Sequence, residues 1–509
     1  MLDNTPFLEA FKLRVFDLDT KKADLFKGVL ILSKKFPELV NKIQFELDSY
    51  ALQKKQMRIA NKKHSTANQP DFIDLSNTIS GVVELELNDG RPRAIPNELL
   101  LYLLALRGCY GSISNQEIEE LIKDSKTIKY IIEYYGCKDL KINTMRENLN
   151  IISPTVSPLV LKCQVQMILD ELLDDFSEVL IDSTAVTGNT AYPTDITVLN
   201  KLLVRIGKCF SKLNLFGIEG FKEGNIEDLL KEINSLVTSI SLSFGNNTKN
   251  VKQKRKKDAK KLFRRARKLI DYFLEQQLAL QFSWENVNLP PDKAFALDKL
   301  WGKIEQDLED VEHVFIYSAL LLLKRKNIPN GNKLLSVADP DVGYIQKGGR
   351  VPVIGYKPQI ALSGKGFICG YITPIGNASD TSQLIPVLEQ VIDNTMKIPS
   401  LVSVDDGYSS EENLNDTLSL GIPTISFSGS KGKCITEDFW DTTINKYARN
   451  KRSAVESVMF TLKDGHNFGR LARRGIDAVN AEGLEKVIAY NFMQIIRVKE
   501  RLKILDLAC

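Results

Sequence analysis

Histidine is nearly absent from this chain: His64, His313 and His466 are its only three in 509 residues, and no two lie near each other in sequence. That makes a histidine-built metal centre or a Ser-His-Asp triad a poor expectation. The seven cysteines, at 109, 137, 163, 209, 369, 434 and 509, contain no Cys-x-x-Cys pair. This excludes a structural zinc ribbon and a disulfide framework, and it fits a reducing cytoplasm. Long apolar runs are also missing. The run ALLLL at 319–323 falls far short of the ~20 residues a membrane helix needs. The opening stretch MLDNTPFLEAFKLRVF lacks a signal-peptide pattern. A cytoplasmic protein with no membrane partner is expected.

Net charge is small as well, with 68 basic and 64 acidic residues giving +4. The distribution says more than the total. Residues 252–268 hold eleven Lys/Arg and one Asp, and the remainder of the chain has 57 basic against 63 acidic residues. A local basic stripe attracts polyanions. Leu262, Ala266, Leu269 and Phe273 recur at helical spacing, so one face packs. Arg264, Arg265, Arg267 and Lys268 fall mostly on the other faces. Charge runs are commonly just solvated surface. Here nearly all charges share one sign, so self-repulsion calls for a counter-ion, and a DNA phosphate backbone would serve.

At ~150 residues per domain the length suggests about three units. Residues 1–95 read as an N-terminal helical region and linker, with a hairpin at VVELELNDGRPR. Residues 96–155 read as a helical unit: NELLLYLLALRGC, then QEIEELIKD opened by a Ser114/Glu117 capping box, then SKTIKYIIEYYG stopped at Gly136, and then INTMRENLNII. Its size permits a helix-turn-helix DNA-binding domain, or a plain helical support. A strand follows at 179–186, and residues 196–335 read as a helical insertion domain with the basic helix inside it. From 350 the pattern becomes PVIGYKPQIALS and GFICGYITPIG as two strands, helix TSQLIPVLEQVIDN, strand SLVSVDD, helix SEENLNDTLSLG and strand IPTISFSG. One long helix, 437–463, is expected last. Segments 156–195 and 336–500 together make a mixed α/β domain.

Within it, the apolar run EVLIDSTAV carries an acid, Asp182. A carboxylate on a buried strand is costly unless its charge is neutralised. Asp405 ends the strand SLVSVD, and Glu456 lies in the last helix. Three acids converging at one sheet edge would bind a divalent cation. Oxygen-only ligands favour two Mg2+ (or Mn2+) ions. Two such ions can activate a water or a 3′-hydroxyl against a phosphodiester. Arg449, Arg452, Glu456 and Lys463 share one helical face, where the cations could grip phosphate. Asp195 and Asp380 read as helix caps, Asp339 and Asp341 as turn residues, and His466 as a surface or DNA-backbone contact.

The segment Arg452-x3-Glu456-x6-Lys463 resembles the Tyr-x2-Arg-x3-Glu-x6-Lys signature of the DDE transposases of bacterial insertion sequences. The tyrosine position holds Arg449, a departure. IDSTAV with YPTD is similar to that family's first-aspartate block, VDDGYSSEENL to its second, and GYITPIGNASD to the Gly-Asn-x-x-Asp stretch between them. The resemblance implies an RNase H-like mixed sheet flanked by helices, interrupted by the helical insertion, with an N-terminal helical DNA-binding region. It assigns Asp182, Asp405 and Glu456 as catalytic metal ligands, and element ends and target DNA as partners of a homodimer or larger assembly. The expected function is binding of terminal inverted repeats, metal-dependent strand cleavage and strand transfer. Two alternatives stay open: an inactive DNA-binding protein on the same scaffold, and a metal nuclease that cuts without joining.

Overall fold

The computed structural model describes residues 20–66, 95–111, 115–137, 140–190, 194–221, 224–246, 248–326, 328–346 and 351–506. The hairpin expected at 82–93 and the Ser114 cap lie outside them. The chain forms two compact units: Met1–Tyr50, Asp89–Asn189 and Asp341–Cys509 make the first, and Ala51–Asn88 and Thr190–Pro340 the second.

The first unit is built on a five-stranded sheet with strand order β6-β5-β1-β7-β8. These strands are β1 (Glu178–Ser183), β5 (Gln359–Ser363), β6 (Ile368–Ile372), β7 (Leu401–Val404) and β8 (Ile425–Phe427). Val179, Leu180 and Ile181 are buried in succession, the mark of a central strand covered on both faces. β1 runs antiparallel to β5 and parallel to β7, which is parallel to β8. Three antiparallel strands extended by two parallel ones form a mixed sheet compatible with an RNase H-like fold. A small second sheet, ordered β2-β4-β3, joins β2 (Val186–Thr187), β3 (Gly343–Ile345) and β4 (Val353–Tyr356). The stretch PVIGYKPQIALS, expected as one strand, is therefore two. Pro358 has no N–H for a ladder, and the chain passes from one sheet to the other at Lys357-Pro358.

Helices α1 (Thr20–Lys35), α2 (Pro37–Thr66), α3 (Asn97–Cys109), α4 (Asn115–Asp124), α5 (Lys126–Tyr134) and α6 (Ile142–Asp170) precede the sheet. Ser125 caps α5 by accepting from Ile128 N, and Gly136 follows it at φ +73°. α6 continues 18 residues beyond INTMRENLNII, despite Pro154 and Pro158. Among the described residues it is the one helix long and apolar enough to cross a membrane, but it is mostly buried in its own unit. α3 is buried from Leu99 to Cys109 and so presents no recognition face. The exposed face of α4 carries Glu117, Glu120, Lys123 and Asp124, which does not favour phosphate.

The second unit contains α7 (Asp195–Lys212), α8 (Gly224–Ser243), α9 (Lys249–Asn286) and α10 (Pro291–Lys324), which lie in sequence between β2 and β3. Leu199, Phe210, Ile233, Leu262, Phe273, Trp301 and Val311 belong to one core drawn from all four. The face of α9 predicted to pack does so: Leu262, Ala266, Leu269 and Phe273 are buried. Asp195 is not the cap of α7. Thr194 is, in a box with Thr197, while Asp195 is the first helical residue and pairs with Lys333 at 3.2 Å.

The first unit closes with α11 (Asp380–Thr395), α12 (Glu411–Ser419), α13 (Gly429–Ile435), α14 (Thr443–Lys451), α15 (Ser453–Gly465) and α16 (Ile476–Asp506). The helix expected over 437–463 starts at Thr443 and is interrupted at Arg452. Before it, Asn445 Nδ2 bonds Phe439 O and Thr442 Oγ1 at 3.1 and 3.0 Å, the side-chain-to-backbone bonding that favours a turn over a helix. At Arg452 the ladder tightens to i−3 bonds, Arg452 N to Arg449 O and Val455 N to Arg452 O.

Candidate active site

The register of the sheet sets the site. Ile181 pairs with Val404 across the parallel β1–β7 ladder. The next residue on each strand is an acid, Asp182 and Asp405. Neighbouring parallel strands end on the same edge, so these two carboxylates sit side by side at the carboxyl ends of the sheet, where open α/β sheets bind ligands. The Asp182 side chain is 14% exposed and that of Asp405 47%. Asp182 Oδ1 accepts from Ser183 N at 2.7 Å, and Asp405 Oδ1 accepts from Ser428 Oγ at 3.0 Å.

Glu456, in the first turn of α15, has a side chain 69% exposed and approaches the site through Arg452. The group that joins all three acids is Arg452. Its Nη1 lies 3.2 Å from Asp405 Oδ1 and 3.8 Å from Asp182 Oδ2, and its Nη2 lies 3.9 Å from Glu456 Oε1. The arginine expected to grip phosphate touches the acids in this structure. Arg449 lies on α14, and Glu456 and Lys463 on α15, the two helices being separated at Arg452. The Arg449 guanidinium stacks over Trp440, 3.9 Å from the ring centroid. Lys463 sits in the last turn of α15.

Asp406 has a different job from its neighbour: its Oδ1 accepts from Gly432 N at 2.9 Å, beneath α13. Behind the acids lies a network that no spacing in the sequence announces. Asp380 is not the cap of α11, since Ser379 accepts from Ser382 N. Asp380 pairs instead with Lys357 at 2.8 Å and accepts from Gln359 Nε2 at 3.3 Å. Gln359 Oε1 in turn accepts from the Tyr408 hydroxyl. Burial pushes the Tyr408 phenol well above its ordinary range, and the Asp380 and Asp182 carboxylates push it further. It therefore stays protonated and donates. Thr381 Oγ1 donates to Gly407 O at 3.0 Å, so the start of α11 braces the turn that carries Asp405.

Residues 332–492 match the family model of the transposase DDE domain. The match covers just under a third of the chain. Neither a curated protein nor a solved structure matches the chain. The match to the DDE domain spans Asp405, Glu456 and Lys463, and Asp182 lies upstream of it. The family's general use of divalent metals agrees with an all-oxygen donor set. As arranged, no three His, Cys, Asp or Glu side chains among the described residues are close enough together to hold an ion. The cation shared by the three carboxylates is the Arg452 guanidinium. The oxygen-only chemistry of the three acids suits a hard divalent cation, and Arg452 is the positive group that stands among them.

A second cluster of charged groups is centred on α16 in the first unit. Glu485 of α16, fully buried, accepts from Arg107 Nε and Nη2 at 2.8 and 2.5 Å and from Arg473 Nη2 at 2.6 and 2.8 Å. Ser153 Oγ also donates to it. One turn earlier Glu482 accepts from Ala472 N and Arg473 N at 3.0 and 2.8 Å and pairs with Lys486 at 3.0 Å. Burial alone would raise the Glu485 carboxyl, but the Arg107 and Arg473 guanidiniums outweigh it and hold it below the usual carboxylate range. Burial lowers Lys486, with Glu482 opposing. These ties fix the loop 466–475, which bonds Thr187 just past β1 through Gly469 O and Leu471 N. At Gly108, α3 comes so near α16 that a Cβ would meet Glu485 O at 2.0 Å. His466, expected at the surface, is buried and packs edge-on against Tyr490. Asp341 lies in a turn, as expected, and also accepts from Ile476 N at 2.8 Å, which places its charge at the start of α16.

Of the four basic residues singled out on α9, two are engaged within the second unit. Arg265 pairs with Glu232 at 2.8 Å, and Arg267 pairs with Asp271 at 2.8 Å and Glu312 at 3.5 Å. Arg264 and Lys268 are exposed and, with Lys260, follow one another every four residues. Among the described residues these three form no ion pair.

Proposed function

We propose that this chain is the transposase of a bacterial insertion sequence, acting on DNA in the cytoplasm as a homodimer or larger assembly. It binds the terminal inverted repeats, cleaves a strand at each end and joins the freed 3′ end to target DNA. The observation that carries this reading is the meeting of two strand-end aspartates and a helix-borne glutamate around one guanidinium. Asp182, Asp405 and Glu456 would hold Mg2+ or Mn2+, which when bound supplies charge neutralisation at the phosphodiester and a more acidic water. The protein's own contribution is orientation: the β1–β7 register aligns two acids, and α11 fixes the Asp405 turn. Lys463, one helical stretch beyond Glu456, holds the DNA strand against them in this reading.

The test uses the full chain with Mn2+ and labelled duplexes taken from the flanks of its own coding DNA. Nicking at inverted repeats followed by joining supports a transposase. Nicking without joining supports a nuclease, and binding without nicking a protein that only holds DNA.

Lys260, Arg264 and Lys268 on α9 supply a second DNA-binding surface in this proposal. Their spacing of about 6 Å along the axis suits successive phosphates. Replacing all three by Gln should weaken DNA binding and flatten its salt dependence, by roughly 0.9 in log–log slope for each duplex phosphate no longer neutralised. Replacing Arg265 and Arg267, already paired, should change the slope less. Equal slopes for the two variants, read by titration over a range of salt, would remove the stripe from the interface.

A further inference from the structure

We infer that Arg452 is an internal stand-in cation: without DNA its guanidinium neutralises Asp182, Asp405 and Glu456, and divalent ions compete with it for them. The inference rests on the reading of these three acids as a metal-holding set, and adds a control on when they are free to act as one. Three like-charged carboxylates at one edge repel each other unless a positive group stands among them. Arg452 is that group, with its side chain 17% exposed and within 3.9 Å of every one of them.

The manner of holding matters as much as the place. Arg107 and Arg473 grip Glu485 with paired, short N–H···O bonds. That geometry is the strong, fixed form of the interaction. Arg452 makes no such fork. Its Nη1 is enclosed yet has no hydrogen-bond partner, and the three acids hold it by charge at 3.2–3.9 Å. A guanidinium so held is exchangeable. An arriving phosphate offers it the paired oxygens that the carboxylates do not, so DNA would draw Arg452 off the acids and leave them to the ions. In this scheme DNA and metal bind with positive coupling, because each removes the other's competitor.

The test is calorimetric titration of Mn2+ into the full chain without DNA, for wild type, Arg452→Gln, Arg452→Lys and the double variant Arg452→Gln/Asp405→Asn. Arg452→Gln should bind Mn2+ at least tenfold more tightly than wild type, and the double variant should lose that gain. Thermal unfolding gives a second reading: Arg452→Gln should melt below wild type in chelator and rise further on adding Mn2+. Should Arg452→Gln fail to fold, Arg452→Lys decides, with tighter Mn2+ binding than wild type expected from its weaker reach. Equal or weaker Mn2+ binding in the Arg452 variants overturns the stand-in role, while Mn2+ binding that wild type has and the double variant lacks would keep the metal-holding set. If neither wild type nor any variant binds Mn2+, with or without DNA, both proposals fall.

Discussion

Asp182→Asn, Asp405→Asn and Glu456→Gln should each cut DNA strand cleavage by roughly 10³-fold or more while leaving binding to DNA ends within a few-fold. Each change keeps the side chain's shape and removes its charge. Losing one ligand of an ion that contributes several kcal/mol of charge stabilisation costs about a factor of ten in rate per 1.36 kcal/mol. The sheet should be unharmed, because Asp182 and Asp405 stand at its edge and the ladder beside them is backbone. The like-charged cluster itself loses one repulsion. Single-turnover nicking and gel-shift titration of the same preparations separate the two effects. A variant that cuts at the wild-type rate takes its residue out of the site, and one that loses end binding in proportion to cutting shows that the charge serves the fold.

Glu485→Gln should destabilise the first unit by about 3–5 kcal/mol, the usual result of removing one partner from a buried ionic group. Arg107 and Arg473 would then face each other across a neutral amide, with little water to screen them. The effect should depend on pH in a definite direction. Glu485 titrates below its ordinary range when folded, so its stabilisation is complete above the unfolded value of about 4.3. It is lost as pH falls through the folded value. The gap between wild type and Glu485→Gln should therefore be constant near neutrality and narrow only in acid below about pH 4. Denaturant unfolding at several pH values reads both. A loss under ~1 kcal/mol at pH 7 would show that water reaches the cluster and that it does not hold loop 466–475.

The candidate site was chosen from residues. The acid inside EVLIDSTAV, the acid ending SLVSVD and the Arg-x3-Glu-x6-Lys spacing pointed to oxygen-ligand phosphodiester chemistry, because an isolated charge on an apolar strand requires a counter-charge. The packing face of α9 was also legible, since helical periodicity is local. Other things were out of reach. Arg107 and Glu485 are 378 residues apart, and nothing in NAEGLEKVIAY distinguishes a buried Glu482/Glu485/Lys486 group from a solvated stripe. The break at Arg452 has no proline or glycine to announce it.

Alone, then, the sequence determined which chemistry is available: hard acids without histidine, and a basic helix with one packing face. Tertiary structure decided who meets whom. Strand register set Asp182 beside Asp405, and helix packing drove Glu485 between two arginines. It also turned Arg452 toward carboxylates rather than solvent. The reason is physical: periodicity fixes which side of an element is apolar, but long-range pairing of charges depends on distances that exist only once the elements are packed.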